Sequence, residues 1–260
     1  MVTNRFKALL PFVACAHILL AGLPASATPI DYGDFTGTNV TFLQVTEDSA
    51  TDPTPLWGAP TVSGNGIIFN PTAAFAATAS GGSSDLTDGK LNTTLASNNP
   101  GVDSIHNILI SERGDYTLAG SGTSATSASV SAPVFLTLTE VNGVPISPVA
   151  LFSGNVAFSP SAGSYNLVSN PGSGQIWTGS LLIDVDALLP GLGINGHATK
   201  IQYVMDNTLL AFSQAGTISF IEKKNGFVTL QTNVPEPSTL VLALIGSLAL
   251  AWQIRRRWAG

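Results

Sequence analysis

The stretch VFLTLTEVNG, residues 134–143, decides the fold class of this chain. Its first eight residues are rich in the β-branched, aromatic and apolar side chains that favour strands. Asn142 and Gly143 follow, and a second run of the same kind, VALFSGNVAFS, begins at Val149. An Asn-Gly dipeptide between two such runs favours a type I′ turn, because both central residues of that turn need a positive φ. The stretch therefore predicts a β-hairpin.

The middle of the chain repeats this pattern of short β-like runs separated by turn residues. Further runs are NVTFLQVT (39–46), GIIF (66–69), SIHNILIS (104–111), SATSASV (124–130), IWTGSLLIDV (176–185) and TKIQYVMD (199–206). The stretch at 77–90 is the most loop-like, and only DALLPGLG, at 186–193, indicates a helical turn. We therefore predict an all-β fold, a jelly-roll-like β-sandwich over residues 28–232, flanked by an N-terminal signal helix and a C-terminal transmembrane helix.

The charged residues of the chain limit the classes of partner that it can bind. Only 10% of the 260 residues are charged, against roughly 25% in an ordinary soluble domain. Residues 28–233 hold five basic side chains and fifteen acidic ones, a net charge of −10. So acidic a surface argues against nucleic-acid binding, which needs clustered Lys and Arg against phosphate. It is compatible with divalent cations.

The N-terminus has the pattern of an export signal. Arg5 and Lys7 precede an apolar stretch, and Ala25 and Ala27 are the small residues that signal peptidase requires. We therefore predict a signal peptide over residues 1–27, with cleavage after Ala27. A buried N-terminal helix is the alternative.

The single cysteine of the chain, Cys15, lies inside that apolar stretch. After cleavage at the predicted site, the mature chain contains no cysteine. It then has no disulfide, no thiolate nucleophile and no cysteine-based metal site.

The C-terminus has the pattern of a membrane anchor. The apolar run at 239–254 is 16 residues long, which corresponds to about 24 Å of helix. Arg255, Arg256 and Arg257 follow it and would stay on the cytoplasmic side, which leaves the preceding domain outside. We predict a transmembrane helix over about 239–254; a buried core helix is the alternative.

A short motif precedes that run. Pro235, Glu236 and Pro237, then the apolar helix, then the arginines, form an order that resembles the PEP-CTERM sorting signal of exported bacterial proteins. The resemblance implies that residues 233–260 are a sorting and anchor segment recognised by an exosortase, a membrane cysteine protease and transpeptidase. That enzyme would read Pro235, Glu236 and Pro237. The protein would then reach the cell surface or an exopolysaccharide matrix, anchored at least transiently.

Few residues of the predicted sandwich have the pattern of a catalytic or metal-binding site. His106 lies in a β-like run, where a structural histidine is expected, and His197 lies in a loop with no nearby acid in the sequence. The chain lacks the short motifs of serine hydrolases, zinc proteases and phosphate-binding loops. We therefore expect no catalytic residue, no metal site and no cofactor.

Two pairs of acids leave one alternative to that expectation. Asp184 and Asp186 are two residues apart and would share a face of a strand, where they could bind Ca²⁺. Asp85 and Asp88 form a second pair, in the stretch that reads as a loop. Solvated acidic turns are the other interpretation of both pairs.

The expected function is a non-catalytic structural or adhesive role at the cell surface or in the extracellular matrix. The alternative is a carbohydrate-binding module of the envelope, with or without Ca²⁺, and an envelope hydrolase is a third option. Carbohydrate binding would use exposed aromatic side chains. The candidates are Trp57, Tyr116, Tyr165, Trp177 and Tyr203.

Overall fold

The computed structural model describes residues 28–232, which form two antiparallel β-sheets. The eight-stranded sheet contains β1 (Ile30–Thr36), β2 (Val40–Asp48), β6 (Ser84–Ser97), β8 (Ser127–Ser131), β9 (Pro133–Val141), β10 (Val144–Asn155), β12 (Ser164–Asn166) and β14 (Ala198–Phe212). The seven-stranded sheet contains β3 (Thr61–Ser63), β4 (Gly66–Phe69), β5 (Ala76–Ser80), β7 (Ile105–Gly120), β11 (Ala157–Ser159), β13 (Gly172–Asp184) and β15 (Thr217–Thr232). The all-β prediction is confirmed.

Two long strands organise the sheets. β14 pairs with β6 along one edge and with β8 and β9 along the other. β15 pairs in the same way with β7 on one side and with β4 and β5 on the other. The chain passes from β14 directly to β15, so this connection crosses from one sheet to the other.

The hairpin predicted at 134–143 is present. β9 and β10 pair antiparallel, with Val141 opposite Val144. Asn142 and Gly143 between them have φ values of 50° and 76°, the two positive angles that a type I′ turn requires.

Two other stretches differ from their sequence patterns. The loop-like stretch at 77–90 is mostly strand: it includes most of β5 and the first half of β6, so the loop reading is wrong. Its small polar side chains suit the face of a sheet that contacts solvent. The strands that pair with this stretch are distant in the sequence. Another Asn-Gly dipeptide, Asn225-Gly226, forms no turn but lies at a bulge inside β15. A side chain at Gly226 would come within 2.7 Å of Trp57, so glycine is needed for packing there.

The core fills the space between the sheets and contains the large aromatic side chains. Trp57 packs edge-on against Phe69 and Phe75, at centroid distances of 5.5 and 5.3 Å. Tyr116 of one sheet stacks on Tyr165 of the other at 4.0 Å. The burial of these rings accounts for much of the hydrophobic stabilisation.

A short helical segment follows β13. Helix α1 covers Val185–Leu188, and a 3₁₀ turn at Pro190–Leu192 follows it, as the stretch at 186–193 predicted. Within residues 28–232, no helix has the length and apolar character needed to cross a membrane. The signal peptide and transmembrane helix predicted at 1–27 and 239–254 fall outside the residues that the structure describes, and both stay predictions.

Candidate functional site

Three histidine and aspartate side chains meet at one end of the sandwich. His106 is the second residue of β7, Asp186 lies in α1, and His197 directly precedes β14. β7 and β13 are antiparallel neighbours with Asn107 opposite Asp184, so the end of β13 lies beside the start of β7. This pairing brings α1 to His106. We call His106, Asp186 and His197 the end cluster.

Asp184 and Asp186 do not share a strand face, so the expectation of a calcium-binding pair on a strand is wrong. Asp184 ends β13, and its Oδ1 accepts a hydrogen bond from the backbone N–H of Ala187 at 2.9 Å. It is therefore the N-cap of α1. Asp186 lies within the helix and contacts His106 instead.

The geometry of the end cluster is that of a ligand set. Nδ1 of His106 contacts Oδ2 of Asp186, and Nδ1 of His197 lies 3.7 Å from Oδ1 of the same carboxylate. One potential ligand atom from each residue lies within 4.8 Å of the others. His197, which has no acid near it in the sequence, thus lies beside Asp186 in the structure, and the expectation of a structural role for His106 stays a prediction. The side chains of His106, Asp186 and His197 are 13%, 38% and 61% exposed, so solvent reaches the site from the His197 side.

One atom of the end cluster lacks a partner. Oδ1 of Asp186 is buried and accepts no hydrogen bond, which is costly for a carboxylate oxygen. His106 is fixed on its other side, since its Nε2 lies 2.8 Å from Oγ of Ser104. Without an ion, Nδ1–H of His106 donates to Asp186 and Nε2 accepts from the Ser104 hydroxyl; a metal at Nδ1 would need the other tautomer, in which Nε2–H donates to Ser104. A histidine oriented by a second hydrogen bond is typical of metal centres.

The same contacts place Ser104, His106 and Asp186 in the order of a serine–histidine–acid triad. Ser104 is only 8% exposed, however, which restricts the approach of a substrate to its hydroxyl. His197 has no role in activating a serine, whereas it supplies the third ligand of a metal site. The arrangement as a whole therefore fits metal binding better than acyl transfer.

The turn of the β9–β10 hairpin also fixes the backbone of His197. The backbone N–H of His197 donates to Oδ1 of Asn142 at 2.8 Å, and the N–H of Asn142 donates to the carbonyl of His197 at 2.9 Å. Gly196 has a φ of 128°, and a side chain there would lie 2.5 Å from the Asn142 amide. Gly196 is thus required for the loop to place His197 over Asp186.

The second predicted calcium pair is engaged within the chain. Oδ2 of Asp85 accepts the backbone N–H of Thr78 at 2.7 Å, and Oδ1 of Asp88 accepts that of Ala50 at 2.8 Å. Both carboxylates fix neighbouring backbone and do not converge. Across residues 28–232, the end cluster is the one group of three or more metal-ligating side chains.

A polar groove crosses the outer face of the eight-stranded sheet. It has a volume of about 450 Å³, and its lining includes Asp31, Gln44, Asn92 and Gln202. Gln44 has a φ of 52° at a bulge in β2, where such a backbone is uncommon for a residue other than glycine. Carboxylate and amide groups of this kind can hydrogen-bond sugar hydroxyls.

The aromatic side chains expected to bind carbohydrate are not on this surface. Trp57, Tyr116, Tyr165, Trp177 and Tyr203 are all buried in the core. Phe135 and Phe212 are exposed instead, to 46% and 43%, and Phe135 lies directly opposite Val204, a residue of the groove. The exposure of Phe135 could be predicted from VFLTLTEV, because strand alternation places Phe135 on the face opposite Val134 and Leu136.

The C-terminal segment matches a known sorting signal. Residues 233–257 match the family described as the PEP-CTERM protein-sorting motif. The chain carries a PEP-CTERM sorting motif. The resemblance noted in the sequence is confirmed, and it supports export and sorting through an exosortase. The match includes Pro235, Glu236, Pro237 and the arginines from Arg255, whose individual roles stay predictions, as does the cleavage at Ala25 and Ala27.

The rest of the chain has only distant similarity to known proteins. No curated protein matches it in sequence. Similar solved structures include TmCBM61 in complex with β-1,4-galactotriose, at 7% identity over 63% of this chain and 70% of that one, with a TM-score of 0.21. The family 11 xylanase from Neocallimastix patriciarum is 10% identical over 78% and 99% of the two chains, with a TM-score of 0.24. The infectious bursal disease virus VP2 subviral particle is 13% identical over 84% and 59%, also at 0.24. Structural similarity at such low TM-scores does not indicate a function for this chain.

Proposed function

We propose that this is a non-catalytic protein of the cell surface or extracellular matrix, whose exported sandwich binds a divalent transition-metal ion at the end cluster. The sorting motif supports the location. The carboxylate of Asp186 carries the metal assignment, because its Oδ2 contacts Nδ1 of His106 and its Oδ1, which accepts no hydrogen bond, lies 3.7 Å from Nδ1 of His197.

The donor set fits Zn²⁺ best among the common ions. Two imidazole nitrogens and one carboxylate are a ligand set that zinc accepts, with the fourth position open. Ligands about 2 Å from such an ion lie about 3.3 Å apart in a tetrahedral site. The 3.7 Å between His197 and Asp186 is close to this value, whereas His106 and Asp186 are in direct contact and would have to separate to admit the ion. Ca²⁺ fits less well, because it takes six or more oxygen ligands.

The open fourth coordination position of the bound ion would let the protein adhere to a matrix polymer. His197 is the most exposed ligand and lies between two shallow hollows of about 190 and 310 Å³. A carboxylate or hydroxyl of a matrix polymer could reach the bound ion from there. His106 and Asp186 would hold the ion on its other side, with Ser104 orienting His106, so the protein would bind the polymer without changing it chemically.

Calorimetric titration of the full chain with ZnCl₂ tests the metal site. We expect one-site binding that weakens at least about tenfold in His197→Ala, since a ligand is lost. His197 is exposed, so the variant should fold normally. Asp31→Asn, which removes an exposed carboxylate of the groove, is the matched control. Absence of binding, or equal binding by His197→Ala, would contradict the proposal.

A deletion tests the surface location separately. Removal of residues 235–258 should release the protein into the medium, because the sorting motif is lost. Unchanged retention in the envelope would count against sorting at this segment, whatever the metal result. Mature protein that keeps Gly260 would favour a plain membrane anchor over processing.

A second candidate function is polysaccharide binding in the groove that Asn92 and Gln202 line, favoured by the exposed ring of Phe135, which lies opposite the groove residue Val204. A glycan array probed with the full chain, with and without Ca²⁺, tests it. Binding should fall in Phe135→Ala and in Gln202→Ala and persist in His197→Ala. Silence across all polysaccharides would remove this candidate.

A further inference from the structure

A lysine, a glutamate and an asparagine meet in the core, between the two sheets. Glu112 on β7 and Lys223 on β15 belong to the seven-stranded sheet, and Asn207 on β14 belongs to the eight-stranded sheet. The side chains of Glu112 and Lys223 are fully buried, and Asn207 is 0% exposed. We call these three residues the core cluster.

Their polar atoms converge on one carboxylate. Nζ of Lys223 contacts Oε1 of Glu112, and Nδ2 of Asn207 donates to Oε1 and Oε2 of the same carboxylate at 2.8 and 2.7 Å. The amine and the amide nitrogen thus share one oxygen atom. Oδ1 of Asn207 is buried and accepts no hydrogen bond.

The surroundings of the core cluster exclude water. Nζ of Lys223 lies 3.8 Å from the ring centroid of Trp57 and 5.5 Å from that of Phe75, and both rings are fully buried. Burial lowers the pKa of Lys223 to about 8, although Glu112 opposes the shift. A lysine with such a pKa is a neutral amine in part of the population at neutral pH, and a neutral amine is a nucleophile.

Stability alone does not account for the core cluster. A buried ion pair is often no more stabilising than apolar residues of the same volume, and the unpartnered amide oxygen adds a cost. The three groups are, however, those needed for amide exchange: a nucleophilic amine, an amide carbonyl and a carboxylate that contacts both nitrogens.

We propose that Lys223 and Asn207 condense into an intramolecular amide cross-link, with Glu112 transferring the proton. Nζ of Lys223 attacks Cγ of Asn207, and the new C–N bond forms as the bond from Cγ to Nδ2 breaks. Glu112 takes one proton from Nζ and delivers it to Nδ2, which leaves as ammonia. The carboxylate is regenerated, and no oxidant or cofactor is consumed.

The cross-link would join the two sheets covalently. Asn207 and Lys223 lie on the consecutive strands β14 and β15, one in each sheet. The chain has no cysteine after Cys15, so a disulfide cannot connect the sheets. An amide bond would supply that connection and would resist reduction outside the cell.

Peptide mapping of the purified full chain, denatured and digested with trypsin, tests the proposal. Trypsin cleaves after Lys200, Lys223 and Lys224, so residues 201–223 carry both reacting groups in one peptide. We expect cleavage after Lys223 to be blocked and peptide 201–224 to be lighter than its sequence by one ammonia molecule. Succinimide formation at Asn-Gly also releases ammonia, but this peptide contains no Asn-Gly.

Two variants locate the reaction. Glu112→Gln should restore the full peptide mass and cleavage after Lys223, because the proton can no longer be transferred. Lys224→Arg, which alters the exposed neighbour, should leave the cross-link intact. Recovery of peptide 201–223 at its sequence mass from folded wild-type protein, or with Asn207 only deamidated, would overturn the proposal even if Glu112→Gln failed to fold.

Discussion

The end cluster and the core cluster contain the same kinds of group, a carboxylate between nitrogen-bearing side chains, in opposite environments. At the end of the sandwich, the side chain of His197 is 61% exposed, and an ion can enter and leave. In the core, the side chains of Glu112 and Lys223 are fully buried. A buried group can react only with its neighbours. Access to solvent therefore determines that one cluster binds reversibly and the other reacts once.

The largest effect is expected in the core cluster. Glu112→Ala prevents the proposed cross-link and leaves Lys223 a free, buried amine without its counter-charge, and loss of one partner of a buried pair costs about 3–5 kcal/mol. Urea unfolding of the full chain should show this loss of free energy. The double variant Glu112→Leu with Lys223→Met also lacks the cross-link but removes both charges, so it should recover only the part of the loss that comes from the unpaired charge. A loss below about 1 kcal/mol in Glu112→Ala would mean that the core is more hydrated than the packing indicates.

An intermediate effect is expected at Ser104. Ser104→Ala removes the hydrogen-bond partner of His106 Nε2, and loss of such a partner lowers metal affinity about 10–100-fold. Zinc titration of the variant measures it. Hydrolysis of p-nitrophenyl acetate should be equally absent in wild type and variant. Hydrolysis by the wild type that Ser104→Ala abolishes would instead make the protein an enzyme.

The smallest effect is expected from an ordinary ion pair near the end cluster. Burial raises the pKa of Glu140, but hydrogen bonds from Lys200 and Thr199 outweigh it and hold the pKa below its usual value. The stabilisation is therefore complete above about pH 4.5, the ordinary value for Glu, and is lost as the pH falls through the lowered pKa. It amounts to about 1 kcal/mol or less, because Lys200 is partly exposed.

Denaturation of wild type and Glu140→Gln at a series of pH values measures this contribution. The difference in unfolding free energy should be constant near neutral pH and should shrink below about pH 4.5. A difference that grows on acidification would contradict the assigned direction of the pKa shift.

The sequence predicted local structure better than it predicted either cluster. The hairpin at Asn142-Gly143 was predictable because the turn chemistry lies in adjacent residues. The stretch at 77–90 was misread because Ser, Thr and Gly are typical of loops, whereas pairing with β14 and β15 holds these residues as strands. Local composition cannot report partners that are distant in sequence.

The clusters depend on such distant pairing. His106 and His197 come from opposite halves of the sandwich sequence, and only the pairing of β7 with β13 and the short α1 brings Asp186 between them. Lys223 and Lys224 look alike in the sequence, yet strand alternation sends one into the core and the other to solvent. The alternation of buried residues from Thr217 to Lys223, which ends at the bulge, was the available signal for Lys223.

Native mass spectrometry of the mature protein, before and after chelation, tests the contrast between the two clusters most directly. The account predicts one zinc ion that a chelator removes, and a polypeptide lighter by one ammonia molecule than its mapped sequence, unchanged by chelation or denaturation. A polypeptide at its full sequence mass that binds no metal would contradict both assignments.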